Sequence, residues 1–297
     1  MKYLYLLGYP LGHSISPAMQ NAALRERKIR ATRYVKNPMP PEKMREMILA
    51  LRAPHCLGAN VTVPHKQAIM PHLDELTDLA REIGAVNTIL KRADANGIAK
   101  LVGDNTDAYG FLQALRVRKI RPQNACVAII GAGGAAAAAA YALAQEGARE
   151  IILLNRTLAR SVELADRLNR RFPALALAIN DWDALERMHL IINATSVGMA
   201  PKPDESPLPA KYTIPRSAVV FDLVYNPPAT KFLREAQARG ARVIGGLEML
   251  VYQGARAFEL WTGQRAPVRV MRDAASKVLQ DMQTLFAREL APSQVKR

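Results

Sequence analysis

The fold is decided by one stretch near the middle of the chain, Cys126-Val127-Ala128-Ile129-Ile130-Gly131-Ala132-Gly133-Gly134-Ala135-Ala136. Its five apolar residues are typical of a buried strand, and the glycines and alanines after them predict a tight turn and the start of a helix. Gly131, Gly133 and Ala136 fit G-x-G-x-x-G/A, a pattern that lets the backbone approach a pyrophosphate. A tight turn without a ligand is the competing interpretation. We predict a dinucleotide site with contacts from Gly131, Ala132, Gly133, Gly134 and Ala135.

The residues after the next predicted strand indicate which dinucleotide binds. That strand ends at Leu154, and it is followed by Asn155, Arg156 and Thr157 and then by Arg160. An NAD site usually has an acidic residue here for the ribose 2′-hydroxyl, whereas guanidinium groups bind a 2′-phosphate and stack on adenine. The sequence therefore favours NADP over NAD. Arginines that simply face solvent at the start of a helix are the alternative.

Strands and helices alternate on both sides of this motif. Downstream we predict strands at residues 126–130, 151–154, 190–193, 219–224 and 242–244, with helices at 135–145, 157–171 and 231–239. Upstream we predict strands at residues 4–8, 32–36, 57–63, 86–91 and 98–102, and helices at 18–28, 41–52, from Pro64 and at 75–82. Ser16 is the predicted N-cap of the first helix. Two further helices follow residue 246. The predicted fold class is α/β, with an N-terminal α/β domain and a doubly wound Rossmann-type domain whose parallel sheet is covered on both faces.

Composition narrows the class of protein. The 297 residues are 49% hydrophobic and 23% charged, which is typical of a globular chain. No apolar run approaches the ~20 residues that cross a bilayer. The net charge is +15, but the basic residues are spread along the chain, so a surface that attracts small anions is favoured over a nucleic-acid footprint. Cys56 and Cys126 are predicted to be reduced thiols of a cytoplasmic protein, and the histidines lack metal-ligand spacing. We expect no membrane, nucleic-acid or metal partner.

Polar residues cluster outside the dinucleotide motif. The clusters are Gly12-His13-Ser14-Ile15-Ser16-Pro17, Asn60-Val61-Thr62-Val63-Pro64-His65-Lys66, Gly84-Ala85-Val86-Asn87-Thr88 and Gly103-Asp104-Asn105-Thr106-Asp107. The two serines can hold a carboxylate or simply cap a helix. Strand alternation places Asn60 and Thr62 on one face, with Lys66 one turn into the next helix.

In this order, the clusters resemble those of the shikimate dehydrogenase family, including its quinate/shikimate members. The resemblance extends over nearly the whole chain. It also includes the dinucleotide motif, Asn155-Arg156-Thr157, Asn193-Ala194-Thr195, Tyr225-Asn226-Pro227 and Gly246-Leu247-Glu248-Met249-Leu250-Val251-Tyr252-Gln253. It implies a reversible, NADPH-dependent reduction of 3-dehydroshikimate to shikimate, a step of aromatic amino-acid (chorismate) biosynthesis.

The resemblance also implies a domain arrangement and a set of site residues. Residues 1–107, with residues 247–297 returning to them, would bind the substrate, and residues 108–246 would bind NADP. Ser14 and Ser16 would bind the substrate carboxylate. Ring hydroxyls would be bound by Thr62, Asn87 and Gln253, and the site would also be lined by Asn60 and Tyr225. Lys66 and Asp107 would be the catalytic pair. Leu223 and Gly246 would lie near the nicotinamide, and Thr195 near the bound cofactor.

The chemistry of the pair is consistent with this activity. The Lys66 ammonium can donate a hydrogen bond to a ketone oxygen and stabilise developing alkoxide charge, and a nearby Asp107 carboxylate favours the charged lysine. Two unrelated surface residues are the competing interpretation. A quinate/shikimate dehydrogenase with broader substrate or cofactor use is one alternative, and a non-catalytic NADP-binding regulator is another. We expect a small-molecule substrate as partner, and a monomer or homodimer.

Overall fold

The computed structural model describes residues 1–290, with side chains as far as residue 284. Residues 291–297, the end of the predicted returning segment, lie outside this description. Two six-stranded sheets and the helices that cover them account for the ordered elements. Among residues 1–290, no helix combines the length and the apolar character needed to cross a membrane.

The first sheet is mixed. Its strands are β1 (Lys2–Gly8), β2 (Thr32–Pro38), β3 (Cys56–Val61), β4 (Glu75–Leu76), β5 (Thr88–Ala93) and β6 (Ala99–Asp104), in the order β2-β1-β3-β5-β6-β4. β1 pairs in parallel with β2 and β3, whereas β5 is antiparallel to β3 and β6. The intervening helices are α1 (Ser16–Glu26), α2 (Met44–Arg52), α3 (His65–Ala68) and α4 (Asp78–Ile83), with short 3-10 helices at Pro41–Lys43 and Met70–His72. β5 and β6, near the strands predicted at residues 86–91 and 98–102, form an antiparallel hairpin.

Two local predictions in this region are wrong. Ser16 does not cap α1, because it is already the first helical residue and the Ile15 carbonyl accepts the first hydrogen bonds. The backbone N–H of Ser16 instead faces Ser14 Oγ at 3.4 Å. The predicted helix at residues 75–82 begins only at Asp78, because Thr77 is the N-cap and accepts from the N–H of Ala80.

The second sheet is entirely parallel. Its strands are β7 (Cys126–Ile130), β8 (Glu150–Leu154), β9 (Ala176–Ile179), β10 (Leu190–Asn193), β11 (Val219–Asp222) and β12 (Arg242–Ile244), in the order β12-β11-β10-β7-β8-β9. Counted from β7, this is the order 3-2-1-4-5-6 of dinucleotide-binding folds. The helices are α5 (Asp107–Val117), α6 (Gly134–Gln145), α7 (Leu158–Arg171) and α8 (Lys231–Ala238), with a 3-10 helix at Asp183–Arg187. β9 was not predicted, since it is a short edge strand of half-buried Ala, Leu and Ile.

Separate cores cover the two faces of the second sheet, as predicted for a parallel sheet. On β7, Val127 and Ile129 join the core under α5, α6 and α7, while Ala128 and Ile130 join the core under α8. The strand order reverses between β7 and β10. Ligands of open α/β sheets bind at the carboxyl ends of the strands at such a point.

The last two helices pack on the first sheet. They are α9 (Leu247–Thr262) and α10 (Val268–Leu290). Val251 and Phe258 of α9 and Met271 of α10 share a core with Leu4 and Leu6 of β1. The chain therefore leaves the second sheet after β12 and returns to the first.

Candidate active site

The glycine turn leaves room for a phosphate. Gly131 has φ +116°, which disfavours other residues, and a Cβ there would lie 3.1 Å from the Ala194 carbonyl. A Cβ added at Gly133 would meet nothing within 4 Å, so this backbone faces open space. Gly133 is also the N-cap of α6, and none of the described side chains caps that helix. Uncapped N–H groups at a helix N-terminus fit an anion such as a pyrophosphate.

The loop after β8 presents cationic groups beside this turn. Asn155 donates from Nδ2 to the Thr157 carbonyl at 2.9 Å, which fixes the loop that starts α7. Arg156 and Arg160 are exposed, and Arg160 lines one small pocket together with Ala132 of the turn. This loop fits a phosphorylated ribose, and Arg156 and Arg160 supply the positive charge that binds a 2′-phosphate.

The remaining predicted cofactor residues lie at the carboxyl edge of the second sheet. Thr195 donates from Oγ1 to Asn193 Oδ1 at 2.6 Å, and its methyl group is next to Gly131. Gly246 packs against the backbone of Leu223, where an added Cβ would overlap the carbonyl oxygen. The structure thus brings Thr195 to the glycine turn and Gly246 to Leu223.

The predicted catalytic pair forms a shielded ion pair. Lys66 Nζ lies 2.6 Å from Asp107 Oδ2, and the side chains are 15% and 6% exposed. Lys66 belongs to α3, which follows β3, and Asp107 is the first residue of α5. A Cβ added at Gly134 would lie 3.1 Å from Lys66 Cβ. The ion pair therefore lies directly at the N-terminus of α6, where the dinucleotide turn ends.

Asn87 connects the ion pair to α9. Its Nδ2 donates to Asp107 Oδ1 at 2.8 Å and is 3.3 Å from Gln253 Oε1. Its Oδ1 accepts from the backbone N–H of Thr106 at 2.7 Å. All four residues are buried. This network fixes the Asp107 carboxylate while leaving the Gln253 amide beside it.

Ser14, Ser16 and Tyr225 form a second polar cluster. Ser14 Oγ is 3.4 Å from Ser16 Oγ. Burial raises the pKa of the Tyr225 phenol, while hydrogen bonds with Ser14 and with the Ile15 backbone act in the opposite direction. Tyr225 is therefore a neutral hydroxyl beside Ser14 at physiological pH.

Asn60 and Thr62 differ in their surroundings. Asn60 is buried, and its Oδ1 accepts from Tyr34 OH at 2.8 Å while its Nδ2 donates to the Asn87 carbonyl at 3.1 Å. Thr62 follows the end of β3 and is half-buried. Asn60 therefore supports the strand beneath Asn87, while the Thr62 side chain is partly accessible.

The sequence did not single out two residues that support this site. Asn105 Oδ1 accepts from the backbone N–H of Asp107 at 3.0 Å, and its Nδ2 donates to the Ala85 carbonyl at 2.8 Å. Its place just before a helix is the available signal, because an Asn side chain readily accepts from the backbone N–H two residues further on. Tyr34, fully buried on β2, has no local signal for its bond to Asn60.

Together, the sheet order, the glycine turn and the ion pair define a dinucleotide-binding α/β protein whose switch point faces a polar site on a second sheet. Family profiles match three parts of the chain. They are the shikimate dehydrogenase substrate binding domain over residues 6–89, shikimate / quinate 5-dehydrogenase over residues 115–222, and the shikimate 5′-dehydrogenase C-terminal domain over residues 246–275.

Known proteins are similar over almost the whole chain. A shikimate dehydrogenase (NADP(+)) from Methanopyrus kandleri is 45% identical and is aligned over 91% of this chain and 93% of its own. Shikimate 5-dehydrogenase from Thermus thermophilus, solved with NADP(H) and shikimate, has a TM-score of 0.82 and 38% identity over 93% of this chain and 99% of its own. Quinate dehydrogenase from Corynebacterium glutamicum, solved with NAD, has a TM-score of 0.80 and 30% identity over 93% of this chain and 99% of its own. The chain belongs to the shikimate dehydrogenase family.

Proposed function

We propose that this chain is an NADP-dependent shikimate dehydrogenase, an oxidoreductase that reversibly reduces 3-dehydroshikimate to shikimate. The observation that carries the proposal is the shielded Lys66–Asp107 ion pair at the N-terminus of α6, where the dinucleotide turn ends. The relative from Methanopyrus kandleri has this activity in its name. The product is an intermediate of aromatic amino-acid biosynthesis.

In this proposal the second sheet and its helices bind the cofactor, and the first sheet and its helices bind the substrate. Residues 108–246 bind NADP, and residues 1–107 with the helices after residue 246 bind the substrate. The pyrophosphate lies on the backbone of Gly131, Ala132, Gly133, Gly134 and Ala135. The 2′-phosphate lies among Asn155, Arg156, Thr157 and Arg160, and Thr195, Leu223 and Gly246 line the nicotinamide half. The bound cofactor supplies the hydride.

The substrate residues recognise a carboxylated, hydroxylated ring. Ser14 and Ser16 donate to the carboxylate, and the neutral Tyr225 hydroxyl lies beside Ser14. Thr62, Asn87 and Gln253 bind the ring hydroxyls, and Asn60 lines the site. The proximity of Asn87 to both Asp107 and Gln253 supports this assignment, since it places hydrogen-bonding groups on either side of one buried amide.

Lys66 moves the proton in this proposal. Its ammonium donates a hydrogen bond to the ketone oxygen and stabilises negative charge as the carbon accepts hydride, and the proton then passes from Nζ to that oxygen. Asp107 holds the ammonium in place, and Asn87 in turn holds Asp107. In the oxidative direction the same nitrogen, once neutral, accepts the proton from the ring hydroxyl.

The proposal also includes the compartment, the oligomeric state and the partners of the protein. We propose a cytoplasmic monomer or homodimer whose partners are small anions rather than nucleic acid. Cys56 and Cys126 are both free and buried, which supports a reducing compartment.

The test is NADP-linked absorbance with shikimate, with quinate and NAD measured in parallel. In Lys66→Ala we expect kcat to fall by about 10²- to 10⁴-fold because the proton donor is lost. Lys100→Ala is the matched control, since Lys100 forms an exposed ion pair with Glu75 on the same sheet. Its kcat should equal that of the wild type.

Other outcomes separate the alternatives. Preference for quinate or for NAD would make the chain a quinate/shikimate dehydrogenase and would contradict the role given to Arg156. NADP binding without turnover of either ring acid would contradict the enzymatic proposal and favour a non-catalytic regulator. Wild-type kcat in Lys66→Ala would remove Lys66 from the mechanism.

A further inference from the structure

The C-terminal end of α4, a helix of the first sheet, contacts α6 and α7, two helices of the second sheet. Glu82 of α4 accepts from the Tyr141 hydroxyl of α6 and from Arg171 Nε of α7, the latter at 3.2 Å. One residue further along α4, Ile83 presents its carbonyl oxygen to α7. We call this contact the α4 seam: it consists of Glu82, Ile83 and Gly84 on one side and Tyr141, Arg167 and Arg171 on the other. It attaches the segment that follows α4 to the dinucleotide-binding half.

Arg167 is the more buried of the two arginines in the α4 seam. Its Nη1 donates to the Ile83 carbonyl at 2.8 Å, its Nη2 donates to Glu163 at 3.0 Å, and its side chain is 20% exposed. Gly84 has φ +73°, and a Cβ built there would overlap the guanidinium. Glycine therefore serves two purposes at this position: it ends the helix in a left-handed conformation and it makes room for Arg167.

The residues immediately after Gly84 hold the proposed proton donor. The N–H of Val86 donates to the Lys66 carbonyl at 2.7 Å, so the Val86 backbone fixes the backbone of Lys66. The Ala85 carbonyl accepts from Asn105, which also holds the N–H of Asp107. Asn87 is the next residue and donates to the Asp107 carboxylate. A displacement at Ile83 and Gly84 would therefore move both members of the ion pair.

We propose that Arg167 is a positioning residue of this enzyme, which rests on the proposed function. It fixes the Ile83–Gly84 backbone against α7, and through Val86 and Asn87 it sets the position of Lys66 and Asp107 relative to the glycine turn. Its helix, α7, begins two residues after Arg156 and has Arg160 in its first turn. The helix that starts at the 2′-phosphate site thus also anchors the segment carrying the proton donor.

Arg171 provides a matched comparison on the same helix. It lies one turn further along α7, is 56% exposed, and pairs with Glu82 at the rim of the α4 seam. Its guanidinium bonds Glu82, lies beside the Tyr141 hydroxyl and is 5.3 Å from the centre of the Phe172 ring. Arg171→Ala removes the same positive charge as Arg167→Ala and one contact across the α4 seam. It leaves Arg167 bonded to the Ile83 carbonyl, so the residues after Ile83 keep their position.

The kinetic test compares Arg167→Ala, Arg167→Lys and Arg171→Ala with the wild type. We expect kcat to fall by about ten- to a hundredfold in Arg167→Ala, because misplacing a reacting group by about an ångström has effects of this size. KM for NADP and for shikimate should stay within about twofold, and Arg171→Ala should match the wild type, as exposed pairs contribute little. Arg167→Lys should be intermediate, because one ammonium replaces a guanidinium that bonds two acceptors. Equal kcat in Arg167→Ala and Arg171→Ala would overturn the proposal, and if Arg167→Ala does not fold, wild-type kcat in Arg167→Lys would do so.

A second measurement does not depend on turnover. Hydrogen–deuterium exchange should show faster uptake across residues 83–88 in Arg167→Ala and in Arg167→Lys, but not in Arg171→Ala. Without the bond from Arg167 to the Ile83 carbonyl, this backbone opens more often and the Val86 N–H separates from the Lys66 carbonyl. Unchanged uptake in this segment overturns the proposal even if shikimate is not a substrate. A wild-type protein without turnover would contradict the proposed function alone, since the exchange experiment would still decide the role of Arg167.

Discussion

At the scale of single residues, Asp222 is a buried carboxyl that the proposed mechanism does not use directly. It ends β11 and is fully buried, accepting from Thr230 Oγ1 at 2.6 Å, from the Val224 N–H at 3.0 Å and from Asn193 Nδ2 at 2.9 Å. Burial raises its pKa to about 6, although each of these hydrogen bonds acts in the opposite direction. Asn193 also holds Thr195, so this carboxyl supports the carboxyl edge of the sheet.

The raised pKa of Asp222 makes the free energy of unfolding depend on pH. The folded state binds this proton more tightly than the unfolded state, so its stabilising effect is complete below about pH 4 and is lost as the pH rises through about 6. The full effect is on the order of 3 kcal/mol. Asp222→Asn removes the titration and keeps an acceptor for Val224. We therefore expect the Tm difference, variant minus wild type, to be more positive at about pH 7.5 than at about pH 4.5.

The control for this measurement is Asp273→Asn, since Asp273 is 69% exposed on α10. Its Tm difference from the wild type should change little between the two pH values. The same Tm difference for Asp222→Asn at both values would contradict the elevated pKa of this carboxyl.

The two residues predicted to form the catalytic pair are in contact in the structure, and their catalytic role stays a prediction. Lys66 and Asp107 are 41 positions apart, and the structure brings them into an ion pair because α3 and α5 both begin at the edge of the first sheet that faces the second. The family resemblance predicted this pairing, since spacing alone does not predict a contact. Arg167 carries no such signal, because it resembles any other arginine on an amphipathic helix until Ile83 and Gly84 are placed beside it.

At the scale of elements, the crossing of α5 and α9 joins the ion pair to Gln253. A Cβ added at Gly110 of α5 would lie 2.7 Å from Gln253 Cβ and 2.7 Å from the Met249 carbonyl, so the two helices touch backbone to backbone at this point. Gly254 of α9 similarly contacts Met19 of α1. Small residues thus set the depth at which α9 inserts between α5 and α1.

Gly110→Ala should move α9 away from α5 and displace Gln253. We expect KM for shikimate to rise about tenfold, with KM for NADP nearly unchanged, because Gln253 is proposed to bind a ring hydroxyl. Overpacking of this kind also lowers the free energy of unfolding by about 1–3 kcal/mol. Initial rates over a range of shikimate concentrations measure the effect, with Gln113→Ala on the same helix as the control. A parallel rise in both KM values would indicate general loosening rather than displacement of Gln253.

Buried strands were predicted from the sequence more accurately than most edge strands. The strand bounds Cys126–Ile130 and Leu190–Asn193 agree with the prediction, because buried strands of a covered parallel sheet appear as short apolar runs between turn signals. Ala176–Ile179 and Glu75–Leu76 did not stand out, since both are short edge strands defined by the neighbour they pair with. The antiparallel insertion of β5 in the first sheet also depends on tertiary pairing, and no local pattern encodes it.

At the scale of the whole molecule, the charge acts on every anionic ligand. The net charge is +15, and the exposed ends of Arg156 and Arg160 lie beside the proposed 2′-phosphate site. A positive field of this kind raises the local concentration of anions and the rate at which they associate. NADP carries one phosphate more than NAD, and shikimate carries a single carboxylate. NADP, NAD and shikimate therefore experience the same positive field but carry different net charges.

We expect KM to rise with salt in the order NADP, NAD and then shikimate, with NADP the most sensitive. Between about 20 and about 300 mM NaCl the Debye length falls from roughly 20 Å to roughly 6 Å, so distant charges cease to contribute while contacts persist. Arg156→Ala separates the two contributions: it should raise KM for NADP at every salt concentration but leave most of the salt dependence in place. A salt dependence that disappears in Arg156→Ala would attribute the effect to one local contact. Equal slopes for all three ligands would show that the net charge does not steer them, and the basic surface would then need a different partner.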